Sequence, residues 1–234
     1  MGEIGNYNEG AKKVDTHLFL FGGGPPMTEQ LAGLFVDILK NTRGTITVLY
    51  IEREGSEAYL PNYTRLLKEY APRLNIYHLP IDNQYTTDQL NKVKRSTGIL
   101  IGGGSTSAYH KYIVTSELAA IIQERFKAGV PVAGFSAGAL IAPRHCVISP
   151  KDNIQEITLY KKGLGLLQRG VISAHYLKWQ EQKQLKNVLH ETKEIYGYGI
   201  ADQSGIYFKN QQLTTIEGYV HIENPSTSGH PKSG

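Results

Sequence analysis

The feature that most limits what this chain can fold into is an alternation. Short β-branched or aromatic runs at 16–21, 45–51, 74–79, 97–101 and 130–134 are each followed by an amphipathic stretch or a helix start. Continuous apolar runs of this length read as strands buried on both faces, and the amphipathic stretches read as the helices covering them. Helices are expected at 28–41, with Leu31, Leu34, Phe35, Ile38 and Leu39 on one face, and at 57–70, closed by Pro72. A third is expected from a Thr87 or Asp88 cap to about Arg95, and a fourth ends near Ala128-Gly129. Five strand–helix units in a row imply right-handed crossovers and an α/β fold with a doubly wound, mostly parallel sheet and helices on both faces. The pattern changes after about residue 145. Short strands at 171–174, 198–201, 205–209 and 212–219, with one helix near 178–191, predict a partly antiparallel C-terminal edge.

With 234 residues, one core is a better fit than two. The expected organisation is an N-terminal extension over 1–15, a single α/β domain over 16–223 and a tail over 224–234 that lacks the apolar residues to order itself. The longest apolar runs, 18–21 and 46–51, are far short of the roughly 20 residues a membrane span needs, so no membrane association is expected. The net charge of +4 is spread without any block of like charges, which gives no nucleic-acid surface to argue from. The first fifteen residues carry Glu3, Glu9, Lys12, Lys13 and Asp15 with no apolar stretch resembling a secretory signal, so the expected location is cytoplasmic. The single cysteine, Cys146, reads as a small buried hydrophobe. No Cys/His cluster has metal spacing, so neither a metal nor an organic cofactor is expected.

Chemistry enters at Gly134-Phe135-Ser136-Ala137-Gly138, a G-x-S-x-G between an apolar strand and an Ala-rich helix start. A serine nucleophile must stand clear of the backbone at a sharp strand-to-helix turn, with glycines tolerating the crowding on either side, which makes Ser136 the nucleophile candidate. Gly102-Gly103-Gly104-Ser105-Thr106 follows another expected strand. Beside Ser136, an amide of Gly103 or Gly104 together with that of Ala137 would form an oxyanion hole. Gly22-Gly23-Gly24-Pro25-Pro26 is expected on the same rim. Among eight histidines His175 stands out, because it ends the run 171–174 and precedes a loop into a helix. Its expected role is the base. The carboxylate that holds its tautomer is expected at Asp202, which closes the run 198–201, with Asp152 and Glu156 as rivals. A Ser136, Asp202, His221 order would suit an α/β-hydrolase esterase, although the interval to His221 is short for that fold. A non-catalytic binding module on the same fold is the other alternative.

These residues resemble those of the family S51 serine peptidases, the group that contains dipeptidase E and cyanophycinase. Leu100 to Thr106 is similar to the family's Gly-Gly-Gly-Asn-Thr loop, Gly134 to Ala139 to its Gly-x-Ser-Ala-Gly-Ala elbow, Ser173 to Tyr176 to its x-x-His-Phe, and Gly199 to Asp202 to the segment carrying its catalytic Glu. The resemblance implies a class I glutamine amidotransferase-like fold and a peptidase with Ser136, His175 and an acid at Asp202. In dipeptidase E an acid near the position of Asp152 has also been assigned. Three positions depart from the pattern: Ser105 for asparagine, Asp202 for glutamate, and Trp179 where cyanophycinases have an arginine. The expected activity is hydrolysis of short peptides, aspartyl dipeptides among them, with self-association into a homodimer left open. Received in a partly dry pocket, an aspartyl carboxylate would need a cation. The candidates near the strand ends are Arg53, His110, Lys111 and Lys178, with Ser105 a further substrate-binding candidate on the glycine loop.

Overall fold

The computed structural model describes residues 14–39 and 42–224. Most of the expected N-terminal extension, the tail beyond 224 and the last two residues of the expected first helix lie outside them. In chain order the elements are β1 (His17–Phe21), α1 (Glu29–Ile38), β2 (Thr45–Tyr50), α2 (Ser56–Tyr59), α3 (Pro61–Tyr70), β3 (Asn75–Pro80), α4 (Thr87–Lys94) and β4 (Gly98–Ile101). Then come α5 (Thr106–Tyr109), a π-helical turn (His110–Val114), α6 (Glu117–Lys127), β5 (Val132–Phe135) and α7 (Ala137–Ile141). The remainder comprises β6 (His145–Ile148), a 3-10 turn (Pro150–Asp152), β7 (Leu159–Lys162), β8 (Val171–Ser173), α8 (Gln182–Thr192), β9 (Gly197–Ile200), β10 (Gly205–Lys209), β11 (Gln212–Glu217) and β12 (Val220–Glu223).

Seven strands form the main sheet in the order β11-β10-β1-β5-β4-β2-β3. The last five run parallel, and β10 and β11 add the antiparallel edge. Period-two alternation divides the strand side chains between two cores. Phe19, Phe21, Ile46 and Val48 meet Leu31 and Phe35 of α1 and Leu67 of α3 on one face. Leu18, Leu20, Leu49 and Val132 meet Val93 of α4 and Leu118, Ile122 and Phe126 of α6 on the other. The sheet is therefore covered on both sides, as its apolar strands require. Beyond it lie a three-stranded sheet, β12-β9-β8, and the hairpin β6-β7. Among the described residues no helix is long and apolar enough to cross a membrane.

Several expected boundaries move. The helix expected to reach residue 41 ends at Ile38, and Leu39 is extended. The helix expected over 57–70 is two helices, because Pro61 lacks an N–H and occupies the first turn of a new one. The cap of α4 is Thr86, not Thr87 or Asp88: its hydroxyl accepts from the Gln89 amide while the Gln89 side chain accepts from the Thr86 amide, a capping box. The helix expected after the glycine loop is three pieces joined through the π turn. The strand expected over 212–219 ends at Glu217, and a further strand that was not expected, β12, follows and pairs with β9 instead of joining the main sheet.

Candidate active site

β1, β5 and β4 lie side by side in the main sheet, and their carboxyl ends carry Gly22, Ser136 and Gly102 respectively. This end of a parallel sheet is where open α/β folds assemble ligand sites. At the turn from β5 to α7, Ser136 has φ 47° and ψ −106°, a conformation disfavoured for a residue with a Cβ. The flanking glycines are required by contact. A Cβ on Gly134 would lie 2.5 Å from the carbonyl carbon of Gly138, and one on Gly138 would lie 2.3 Å from the Ile101 oxygen. No alanine fits either place.

The other two residues come from the small sheet. His175 follows β8 with φ 50°, and Asp202 follows β9 at a turn where Gln203 has φ 55°. Ser136 Oγ lies 2.8 Å from His175 Nε2. His175 Nδ1 lies 2.7 Å from Asp202 Oδ1. An ionised carboxylate accepts only, so Nδ1 carries the proton and Nε2 is left to accept from the serine hydroxyl. Two left-handed residues on one hydrogen-bonded path represent strain of about 1–3 kcal/mol each, held by the surrounding fold.

Main-chain bonds through Phe21 and Gly22 tie the parts together. The Ser136 amide donates to the Phe21 carbonyl (2.9 Å), the His175 amide to the Gly22 carbonyl (2.9 Å), and the Gly22 amide to the Ser204 carbonyl beside Asp202 (3.1 Å). The neighbouring Gly23 packs against the Asp202 carboxylate. The Gly22–Gly24 segment thus lies on the rim, as expected from sequence.

The second glycine loop also reaches Ser136: a Cβ on Gly103 would stand 3.3 Å from that of Ser136. The Gly103 amide, however, already donates to Tyr63 Oη at 3.0 Å, and Tyr109 Oη donates to the Gly103 carbonyl at 3.3 Å. Burial pushes the Tyr63 phenol up to about 12, which keeps it protonated. Among the described residues the amides of Gly104 and Ala137 have no acceptor, which narrows the expected oxyanion donors to those two. Sequence reasoning missed Tyr63 because, at an apolar position of α3, it reads as an ordinary core residue.

The rival acids do not reach the imidazole, whose two nitrogens face Ser136 and Asp202. Asp152 lies near Thr106 and within electrostatic reach of His175. Burial pushes its carboxyl pKa up, against the lowering effect of the Thr106 hydroxyl and amide. Glu156 is exposed at φ 52°. His221 faces Glu223, with Nε2 to Oε2 at 3.0 Å, and stacks on Tyr176, so the esterase arrangement through His221 is not formed. Trp179 covers His175, the ring centroids 4.6 Å apart, and its carbonyl accepts from Lys151 Nζ.

A cleft of about 370 Å³ opens beside Gly103 and Gly104 and is lined by Arg53, Ser105 and several tyrosines. Of the five substrate-binding candidates only Arg53 and Ser105 line it. Ser105 also caps α5. His110 turns to the Lys162 carbonyl (2.9 Å) in β7, Lys111 lies over the Tyr112 ring, and Lys178 is exposed. Among the described residues no group of three His, Cys, Asp or Glu side chains is placed to hold a metal ion.

The model of peptidase family S51 matches residues 18–216. No curated protein matches. Among solved structures, a peptidase from an acI-B1 Actinobacterium superposes with a TM-score of 0.68 at 18% identity, covering 90% of this chain and 91% of its own. A peptidase E candidate from Listeria monocytogenes EGD-e superposes with a TM-score of 0.61, again at 18% identity, over 90% of this chain and 99% of its own. At that identity the two structures speak for the fold, while the family match extends over most of the sequence. The chain belongs to peptidase family S51 and is a peptidase of the serine hydrolase class.

Proposed function

We propose that the protein hydrolyses short peptides by acyl transfer through Ser136, His175 and Asp202. The observation that carries this reading is the unbroken path from Ser136 Oγ through the imidazole to Asp202 Oδ1, at 2.8 and 2.7 Å. His175 Nε2 takes the hydroxyl proton as Oγ attacks the scissile carbonyl, and the Asp202 carboxylate stabilises the imidazolium that forms. The amides of Ala137 and Gly104 receive the developing oxyanion. The imidazolium then gives its proton to the leaving amine, and a water, deprotonated by the same ring, releases the acyl group from Ser136. Of the cations expected to receive an aspartyl side chain, only Arg53 lines the cleft. With one cysteine, Cys146, buried in the core, no internal disulfide can form, which fits a cytoplasmic enzyme.

Labelling with a fluorophosphonate probe followed by peptide mapping tests the reading. The expected adduct is on Ser136, absent in Ser136→Ala. A protein that stays unlabelled while binding peptides would be a binding module, and the hydrolase mechanism would fall.

A further inference from the structure

The substrate side chain can be addressed from the way the triad is oriented. The leaving amine must be reached by His175, so the leaving half of the peptide lies on the side of His175 and Trp179. The oxyanion loop lies on another side of Ser136. A third direction is left for the side chain of the residue contributing the scissile carbonyl, and one cleft that reaches this centre is the one lined by Gly103 and Gly104, Gly103 standing beside Ser136.

That cleft has an unusual lining. Tyr50, Tyr59, Tyr63, Tyr109 and Tyr112 all contribute to it. The two at its floor, Tyr63 and Tyr109, are buried, and their hydroxyls are already engaged with Gly103. At 3% and 0% exposure they close the floor, and the ring surface open to an incoming group is that of Tyr59 with the half-buried Tyr50 and Tyr112. Tyr59 is 38% exposed at the rim, edge-on to Tyr63 with centroids 5.9 Å apart, so an open ring surface leads down to a closed one. The one charged side chain of the lining, Arg53, is exposed and lies over the Tyr59 ring at 5.8 Å. A carboxylate moved among these rings would lose hydration and gain only a solvent-screened partner. An aromatic ring would lose little and gain offset and edge contacts with the tyrosines. The volume of about 370 Å³ falls in the range of pockets that enclose whole small ligands, far more than an aspartyl side chain fills.

Building on the proposed acyl-transfer reading, we propose that this tyrosine-lined cleft is the subsite for the acyl-side residue and takes an aromatic side chain in preference to aspartate. Arg53 then serves as a rim cation stacked on Tyr59.

The test compares Phe-Ala with Asp-Ala. The expected result is a kcat/KM at least about tenfold higher for Phe-Ala, with the ratio falling toward one in Tyr59→Ala. Calorimetric titration of both dipeptides into Ser136→Ala reads the same preference without turnover, and fluorophosphonate labelling of the unmutated protein reports separately on the nucleophile. Labelled Ser136 with equal or tighter binding of Asp-Ala overturns the aromatic subsite and leaves the hydrolase standing. Unlabelled Ser136 with a preserved Phe-Ala preference does the reverse. Equal losses for both dipeptides in Tyr59→Ala would also count against the subsite, since they would mark Tyr59 as a structural residue only.

Discussion

The seven-stranded sheet and the three-stranded sheet contribute to one site but are built differently. The first fills both faces with its own Leu, Ile, Val and Phe side chains. The middle strand of the second reads Gly197-Tyr198-Gly199-Ile200, and neighbouring elements supply the bulk its glycines leave out. The Leu185 side chain of α8 lies where a Cβ on Gly197 would be, at 2.9 Å, and the ring of Tyr176 lies where one on Gly199 would be, at 2.3 Å. The nucleophile therefore stands on strands that bring their own bulk to the helices covering them. The base and the acid stand on strands that depend on rings and aliphatic chains brought in from outside.

Breaking the main-sheet side at its reactive atom has the largest expected effect. Ser136→Ala lowers kcat/KM by about 10⁴-fold or more and abolishes probe labelling, while denaturation curves stay where they were, because one oxygen contributes little packing. On the dependent side, His175→Ala produces a loss of the same order, measured with the same peptide. His221→Ala, which touches Glu223 and Tyr176 but not Ser136, changes the rate little; the opposite ranking would restore the esterase arrangement. Asp202→Asn lowers kcat by about 10³–10⁴-fold through the wrong imidazole tautomer. Asp152→Asn lowers it less, and equal losses would make the acid a shared role.

The contrast between the sheets sharpens with a substitution that touches no reactive group. Gly199→Ala forces Tyr176 aside and destabilises the fold by about 1–3 kcal/mol in chemical denaturation. It also slows labelling of Ser136, because His175 immediately precedes the displaced tyrosine. An unchanged labelling rate would show the base to be independent of that packing. The smallest effect is expected from Tyr63→Phe, which leaves the Gly103 amide without its acceptor at about 1 kcal/mol in stability. Its kcat falls a few-fold with KM unchanged if the phenol orients the loop.

The same contrast explains what the sequence discloses. The five parallel strands are legible to within two residues because apolar runs bounded by turns have few other uses. β9 is legible one residue late, the run 198–201 standing for Gly197–Ile200, since glycines carry no strand signal of their own. The hairpin β6-β7 escaped notice altogether: Leu159-Tyr160-Lys161-Lys162 is short, half lysine and only partly buried. Ser136, His175 and Asp202 are legible because each ends a strand and carries a reactive group. Tyr59 and Tyr63 are not, because a tyrosine facing a cleft and a tyrosine filling a core have the same helical spacing. The Thr86 capping box was present as Thr-x-x-Gln and lay one residue outside the expected cap.

The bonds made by Phe21 and Gly22 have a bearing on how such a site can change. Nucleophile, base and the turn holding the acid are all bonded to consecutive peptide groups, so the spacing of the three is stored in main chain, which any residue type supplies. Side chains around the cleft are then free to drift without disturbing that spacing, with Gly22 itself the fixed point, since any Cβ there would collide with the Ile200 carbonyl at 2.2 Å. A lineage, or an engineer, can exchange one substrate preference for another on this scaffold by rewriting the exposed part of the wall, Tyr59 and its neighbours at the rim, while Tyr63 and Tyr109, which are bonded to Gly103, stay with the reactive machinery.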